Sequence, residues 1–193
     1  MRFFPPARAA ALPLLLTASL LLVAPARAQP DDDDDDGPPP PPNAMPASLG
    51  GFTPDTEAEA AALQVLEQFG RMWESEDMDT FDRIIARDAE MVVIGTDAAE
   101  FIVGYEDFRK ARAAQFASFE NVEFNVKGRS LDVSESGAVA WFTEQFDLFT
   151  VAEGDPVSLE DLRLSGVMEK RDGQWQMVQL HTSMPVEGRA AEY

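Results

Sequence analysis

The stretch from Ala138 to Ser183 constrains the fold of this chain more strongly than any other part of the sequence. It predicts three long strands in succession, over Ala138–Val151, Leu159–Lys170 and Trp175–Ser183, with a tight turn at Arg171-Asp172-Gly173 between the last two. Long consecutive strands form a twisted, bent antiparallel sheet, and the concave face of such a sheet has to be covered by other elements. The rest of the chain should therefore supply helices that pack into this concave face.

Helical patterns upstream of these strands can provide that cover. Thr53 and Pro54 predict the start of a first helix, as its N-cap and first-turn proline. Asp77 predicts the cap of a second helix, and a third is expected from Tyr105 to about Phe119. The apolar side chains of the first helix recur at helical spacing: Ala62, Leu66, Phe69 and Trp73.

Two further strands complete the pattern. Met91–Ile94 is a short apolar strand between the second and third helices, and Asn121–Val133 alternates apolar and polar residues after the third. The predicted order is α-α-β-α-β-β-β-β within one domain over residues 53–187, and the predicted class is α+β.

Residues 1–28 have the features of a secretory signal peptide. Arg2 and Arg8 form a basic start, Ala9–Val23 is almost wholly apolar, and Ala26-Arg27-Ala28 fits a signal peptidase site. The apolar run is shorter than the roughly 20 residues of a membrane span. We expect cleavage after Ala28, secretion to the periplasm and no membrane association afterwards; an uncleaved N-terminal anchor is the alternative.

A low-complexity segment follows the predicted cleavage site. Asp31–Asp36 and Pro38–Pro42 combine charge repulsion with a preference for extended polyproline II. Residues 29–52 are therefore expected to form a disordered linker, and residues 188–193 a short C-terminal tail.

Composition excludes several classes of function. The formal net charge is −20 and becomes about −23 without the arginines of the signal peptide, which opposes binding to nucleic acid. The absence of cysteine excludes disulfides, thiolate metal sites and a cysteine nucleophile. No phosphate-binding or dinucleotide-binding glycine motif is present, so no cofactor is expected. With one histidine in the chain, we expect no metal site either.

Several short segments in a fixed order carry a family resemblance over residues 57–185. They are Phe69–Trp73, Asp77–Asp79, Met91–Thr96, Gly104–Phe108, Gly137–Glu144, Asp172–Trp175 and His181–Ser183. In this order the chain resembles the SnoaL-like domains of the nuclear transport factor 2-like superfamily. The resemblance implies a cone, in which a strongly curved antiparallel sheet wraps over three helices, with a pocket at its open end and a homodimer formed through the outer sheet face.

The resemblance does not imply one activity, because the superfamily includes ketosteroid isomerase, polyketide cyclases, dehydratases and modules that only bind or assemble. Comparison with ketosteroid isomerase places its catalytic tyrosine at Phe69 and its general base at Val93. Neither Phe69 nor Val93 can donate or accept the required proton. We therefore expect that this form of isomerase chemistry is absent.

His181 is the candidate catalytic residue, because its unperturbed pKa is the one nearest neutrality. Strict alternation along the last strand places Trp175, Met177, Gln179 and His181 on one side. The resemblance implies that His181 and Arg163 face into the cone. Contact with a ligand without chemistry, or a structural role at the strand end, are the alternatives for His181.

Two charged residues are candidate ligand-binding groups. Arg163 lies between two leucines and could hold a carboxylate or enolate of a ligand; the alternatives are an internal ion pair or exposure. Glu144 could be a pocket carboxylate with a raised pKa, or it could be paired or solvated.

The remaining candidates are apolar or small. Trp73, Phe81, Phe101 and Trp141 could line an apolar pocket, although aromatic residues at such spacing also form cores. Thr96 follows the first short strand, near the expected mouth of the pocket, and turn formation after Gly95 is its alternative role.

Two hypotheses of function follow. In the first, an exported homodimer binds a small, largely apolar molecule in its cone, with proton-transfer or hydration chemistry as a further possibility; whether it is an enzyme stays open. In the second, a non-catalytic homodimer with a filled cone presents a surface to another protein. An enclosed pocket of about 300 Å³ or more would favour the first hypothesis.

Overall fold

The computed structural model describes residues 52–186. The predicted signal peptide (1–28), all but the last residue of the predicted linker (29–52) and the predicted tail (188–193) lie outside the described residues. Within residues 52–186, no helix is both long enough and apolar enough to cross a membrane.

The described domain has three helices and six strands, and the predicted α+β class is confirmed. In chain order the elements are α1 (Glu57–Ser75), α2 (Met78–Ile84), β1 (Val92–Ile94), β2 (Phe101–Val103), α3 (Tyr105–Phe116), β3 (Phe119–Val133), β4 (Val139–Ala152), β5 (Asp155–Arg171) and β6 (Gln174–Ser183). The strands form one sheet in the order β2-β1-β6-β5-β4-β3. The sheet is mixed, because β1 pairs parallel to β6 while the other pairs are antiparallel. The three-residue β2 was not predicted, since so short a run gives no periodic signal.

The helix starts follow from local capping. The predicted start at Thr53 is wrong by three residues: Thr56 is the N-cap of α1 and accepts a hydrogen bond from the Glu59 backbone N–H. The Glu59 carboxylate accepts in return from the backbone N–H of Thr56, which completes a capping box. The predicted cap of α2 is confirmed, because Asp77 accepts from two backbone N–H groups of the first turn.

The core lies between the helices and one face of the sheet. Leu66, Phe69 and Met72 of α1 and Phe81 of α2 are buried. On the sheet, the buried side chains that complete this core include Phe124, Phe142, Phe146, Leu164, Met168, Met177 and Leu180. This arrangement confirms that the helices cover the apolar face of the long strands.

Four β-bulges let the long strands bend around α1. In β3 and β5 an extra residue has a positive φ, 54° at Asn121 and 57° at Asp161. The other two are at Lys127 in β3 and Val178 in β6, each of which has no partner between the pairs that its neighbours form. A bulge adds a residue to one strand and increases its local twist and bend, so these positions give the sheet its curvature.

The bulge at Val178 also changes which side chains of β6 face the core. Met177 pairs with Met168 and both are buried, whereas Gln179 pairs with Val167, which points to the outer face. After the bulge, Leu180 is buried. The predicted common face of Met177, Gln179 and His181 is therefore wrong, because strict alternation does not hold across a bulge.

A substitution at Gly166 tests how tightly the sheet is packed around this position. A Cβ at this position would lie 2.6 Å from the Gln179 carbonyl oxygen and 2.7 Å from Phe142 Cζ. We expect Gly166→Ala to lower the free energy of unfolding by roughly 1–3 kcal/mol, measured by urea denaturation. Ser165→Ala, on the outer face, is the control and should change it by less than about 0.5 kcal/mol. A Gly166→Ala variant as stable as the control would show that the packing described here is incorrect.

Candidate functional site

A cavity of about 170 Å³ lies at one end of the core, where β1 and β6 end and β5 begins. Helices α1 and α3 form one side of the cavity, and strands β3, β4 and β5 form the other. Its lining residues are Phe69, Trp73, Gly95, Thr96, Glu100, Arg112, Gln115, Phe119, Phe146, Leu148, Leu159, Leu162 and Thr182.

Aromatic side chains make up much of the apolar wall. The Trp73 ring packs edge-on against Phe116, with ring centroids 5.6 Å apart, and stacks on Phe119 at 6.4 Å. Phe146 stacks on Phe124 at 4.3 Å. These contacts fix the rings in place, so the cavity is formed before any ligand binds.

Arg112 brings a positive charge into this apolar wall. It lies on α3 four residues from both Phe108 and Phe116, and this spacing puts all three on the buried face of the helix. Its guanidinium carbon is 3.7 Å from the centroid of the Trp73 ring. The side chain is 7% exposed, and burial lowers the pKa of Arg112 to about 9.

A short polar network connects Arg112 to the β1–β2 turn. Arg112 Nη1 donates to Gln115 Oε1 at 2.9 Å, and Gln115 Nε2 donates to Glu100 Oε1 at 3.3 Å. The other oxygen of Glu100 accepts from the Asp97 backbone N–H at 3.1 Å and from Thr96 Oγ1 at 3.5 Å. The network therefore fixes Glu100 and Gln115 at the polar end of the cavity.

Gly95 makes room for this position of Glu100. A Cβ on Gly95 would lie within 2.7 Å of the Glu100 side chain, including its carboxylate. The side chain of Glu100 can fold back over the end of β1 because residue 95 has none.

A second depression, of about 250 Å³, lies at the other end of β6 beside the β5–β6 hairpin. It is more open, and its lining includes the exposed side chains of Gln64, Arg83 and Gln174. Trp175 is the one aromatic residue of its lining, against four at the Arg112 cavity, so the cavity at Arg112 is the better candidate for a ligand site.

The cavity can bind a small molecule with an apolar body and a polar group. The walls contact the apolar part, and Arg112, Gln115 and Thr96 offer hydrogen-bond donors at one end. Glu100 is the acidic side chain of the lining. Within residues 52–186, no three acidic or histidine side chains come together in a way that could hold a metal ion.

Two of the residues predicted to bind a ligand line the cavity, namely Trp73 and Thr96. Phe81 does not, because it is fully buried in the core between α2 and α3, 5.0 Å from the Phe108 ring. Phe101 and Trp141 are 63% and 49% exposed, on the edge strand β2 and on the outer face of β4. The predicted pocket position of these three residues is therefore wrong.

His181 and Arg163 do not face the cavity, so their predicted orientation is also wrong. His181 is exposed and lies between Leu180, which is buried, and Thr182, which lines the cavity. Arg163 is exposed on the outer face and donates from Nη2 to the Met184 carbonyl oxygen at 3.0 Å. A catalytic role for His181 stays a prediction, and the lining of the cavity gives it no support.

Glu144 is fully buried and lies outside the lining of the cavity. Arg129 Nη2 is 2.6 Å from Glu144 Oε1 without the alignment of a hydrogen bond, and neither carboxylate oxygen has a hydrogen-bond donor among the described residues. Burial raises the pKa of Glu144 to about 7, although the charge of Arg129 acts in the opposite direction. The raised pKa was anticipated, and the predicted alternative of an ion pair is what the structure shows.

Arg112, Gln115 and Glu100 were missed by sequence reasoning. For Arg112 a signal was present: an arginine midway between Phe108 and Phe116, four residues from each, has to lie on the apolar face of the helix. Glu100 had no comparable signal, because its position depends on the backbone of the β1–β2 turn.

Residues 62–187 match the family model of the SnoaL-like domain, which is more than half of the chain. The chain therefore belongs to the SnoaL-like domain family, and the predicted family is confirmed. None of the curated proteins compared with the chain matches it.

Solved structures with the same fold include a nuclear transport factor 2 (NTF2-like) superfamily protein from Salmonella enterica. It superposes with a TM-score of 0.62 at 14% identity, over 70% of this chain and 97% of that chain. A proposed dehydratase of the NTF2-like family from Streptomyces avermitilis gives a TM-score of 0.61 at 16% identity, over 69% of this chain and 99% of that chain. At these identities the likeness shows the fold alone.

Because Glu144 is buried, we expect the free energy of unfolding of the protein to depend on pH in a specific way. Its pKa in the folded state, about 7, is above its ordinary value of 4.5, so folding favours the protonated form. The contribution of Glu144 to the free energy of unfolding is therefore fully present below about pH 4.5 and is lost as the pH rises through about 7. Glu144→Gln removes this dependence. The free energy of unfolding of the variant minus that of the wild type should therefore rise between about pH 5 and pH 8, by about 3 kcal/mol at most.

Urea denaturation at several pH values measures this difference. Glu123→Gln, an exposed position on β3, is the control and should show no such trend. A constant difference between Glu144→Gln and the wild type across the range would mean that Glu144 has an ordinary pKa in the folded protein.

Proposed function

We propose that this protein is exported and that its SnoaL-like domain binds a small organic molecule, about the size of one aromatic ring, in the cavity beside Arg112. The observation that carries this proposal is the pairing of aromatic walls with a buried guanidinium at one end of the cavity. Export rests on the signal-peptide pattern of residues 1–28, with the periplasm as the proposed location.

The volume of the cavity limits the size of the ligand. Pockets for drug-sized ligands have volumes of about 300–1,000 Å³, and the cavity of about 170 Å³ lies below this range. An apolar cavity of about 150 Å³ is large enough to hold a benzene ring. The volume of about 300 Å³ that would have favoured the ligand-binding hypothesis is therefore not reached, and the proposed ligand is limited to about one aromatic ring.

The outer face of the sheet supports the proposal of a homodimer. Strand pairing places two rows of side chains on this face: Asp132, Trp141, Val167, Gln179, Val92 and Val103, and Ser130, Thr143, Ser165, His181, Ile94 and Phe101. Trp141, Val103 and Phe101 are about half exposed or more. Large exposed apolar residues on one sheet face are typical of a surface that a second protein copy covers.

Binding is tested with benzoate, benzamide and benzamidine, three one-ring compounds of the same shape. With about 10 mM compound and a dissociation constant on the order of 1 mM, binding stabilises the protein by about 1.4 kcal/mol. We expect at least one of them to raise the melting temperature of the mature protein by roughly 3–6 °C. If none of the three does so, the cavity is not a ligand site.

A cavity-filling variant locates the binding. Leu159 is a half-buried residue of the lining, and Leu159→Trp should abolish the ligand-induced shift because the indole occupies the ligand's space. Val157→Trp, two residues earlier on β5 and outside the lining, is the matched control and should keep the shift. A shift that persists in Leu159→Trp would place the ligand elsewhere.

The homodimer is tested by sedimentation at micromolar concentration. The wild type should sediment as a dimer, and Trp141→Glu should sediment as a monomer, because a carboxylate would be buried in the centre of the outer face. Val126 is also an exposed apolar residue but lies away from the outer face, so the Val126→Glu variant should remain dimeric. A monomeric wild type, or a dimeric Trp141→Glu variant, would contradict the proposal.

A further inference from the structure

We infer that the ligand of this cavity carries a carboxylate, and that Arg112 binds it. This inference rests on the proposed function, and it specifies the chemical class of the ligand: a small, planar, apolar monocarboxylate.

Arg112 is a charged group in a place where charge is costly. Moving a guanidinium out of water into an apolar wall is unfavourable unless an opposite charge or several hydrogen bonds compensate for it. Among the described residues, no carboxylate forms an ion pair with Arg112, in contrast to Arg109, Arg129 and Arg171. Arg112 lacks such a close ion pair, and the charge of Glu100 offsets its burial only in part.

The hydrogen bonds of Arg112 are also incomplete. A guanidinium has five N–H donors, and the side chain of Arg112 makes one hydrogen bond within the described residues, to Gln115. Its Nε is buried and has no acceptor there. A carboxylate bound in the cavity would supply a close negative charge and acceptors for the terminal N–H groups of the guanidinium, through two parallel hydrogen bonds.

The rings around Arg112 hold its guanidinium in position for such a contact. It stacks on Trp73 and lies 5.3 Å from the centroid of Phe108 and 5.8 Å from that of Phe116. A guanidinium held by stacking loses little further freedom when it binds a carboxylate, and this favours recognition of a planar anion.

Glu100 is the acidic side chain of the lining; its charge acts on Arg112 without a direct contact, and its oxygens already have hydrogen-bond donors. It accepts hydrogen bonds from Gln115, Asp97 and Thr96, so it is turned toward its own loop and is not paired with Arg112. A cationic ligand would have to displace these bonds and would also meet the charge of Arg112. The distribution of charge in the lining therefore favours an anion.

The test is a calorimetric comparison of benzoate, benzamide and benzamidine, which differ in charge and share one shape. For the wild type we expect benzoate to bind at least about tenfold more tightly than either of the others, because a charge-assisted hydrogen bond to a buried group has that effect or more. This part needs no variant and so does not depend on whether a substituted protein folds.

Two matched variants then assign the preference to a residue. Arg112→Met keeps most of the side-chain volume and should remove the preference for benzoate, with a ten- to hundredfold loss of benzoate affinity and less than a threefold change for benzamide. Arg163→Met, the same substitution on the outer face, should keep the preference. Arg112→Lys keeps the charge without the planar fork and should retain part of the preference for benzoate. This variant also provides a test if the Arg112→Met protein does not fold.

The outcomes separate this inference from the proposed function. The inference would be overturned if the wild type bound benzamide as tightly as benzoate, or benzamidine more tightly. It would also be overturned if the preference for benzoate survived in Arg112→Met or was fully kept in Arg112→Lys. Each of these results would leave the cavity as a ligand site. Binding of none of the three compounds would overturn both. An Arg112→Met protein that is merely less stable and keeps the benzoate preference would show that Arg112 has only a structural role.

Discussion

The bulges of the long strands are the constraint on which the rest of this structure depends. A sheet of regularly paired strands twists but does not fold around a helix, whereas the extra residues at Asn121, Asp161 and Val178 bend β3, β5 and β6 toward α1. The Asp161 bulge is fixed by its own contacts, since its backbone N–H donates to Asp147 and Lys127 Nζ lies 2.8 Å from the carboxylates of both aspartates. The bent sheet and the helices then enclose a core that is packed at one end and leaves a small cavity at the other.

Among residues 52–186, one carboxyl group and one guanidinium are buried, and their surroundings differ. Glu144 faces the packed part of the core, has Arg129 as its partner and has a raised pKa. Arg112 lies at the cavity, has aromatic rings and one amide as its neighbours, and has a lowered pKa. Both arrangements cost stability in the folded protein. The cost at Glu144 is reduced by Arg129 and by protonation, whereas the cost at Arg112 would be reduced by a carboxylate ligand, and this is why the second group points to function.

The sequence was sufficient to predict the class of fold, the family and nearly all of the elements, because periodicity and capping act locally. The second helix starts at Asp77 as predicted, since an aspartate at an N-cap needs only the next turn of chain. The faces of β6 could not be predicted, because one unpaired residue at Val178 reverses the alternation after it. The family resemblance placed His181 in the cone, and it lies on the outer face.

The candidate site was harder to predict than the fold. Trp73 and Thr96 line the cavity as predicted. Trp141, Phe101 and Arg163 were also expected in a pocket, but they are exposed on the outer face of the sheet. Parity along a strand shows which residues share a face, and it does not show which of the two faces is the inner one. The role that was expected of Arg163, binding a ligand carboxylate, is proposed instead for Arg112, a helix residue with a phenylalanine four positions away on each side.

The central claim is that a carboxylate enters the cavity and contacts Arg112. Its most direct test is nuclear magnetic resonance of the arginine side chains of the ¹⁵N-labelled protein during a titration with benzoate. We expect the Nε–H resonance of Arg112 and the indole N–H resonance of Trp73 to shift together and saturate, while the Nε–H resonance of Arg163 stays in place. Saturating shifts at Arg163 with an unchanged Arg112 would contradict it.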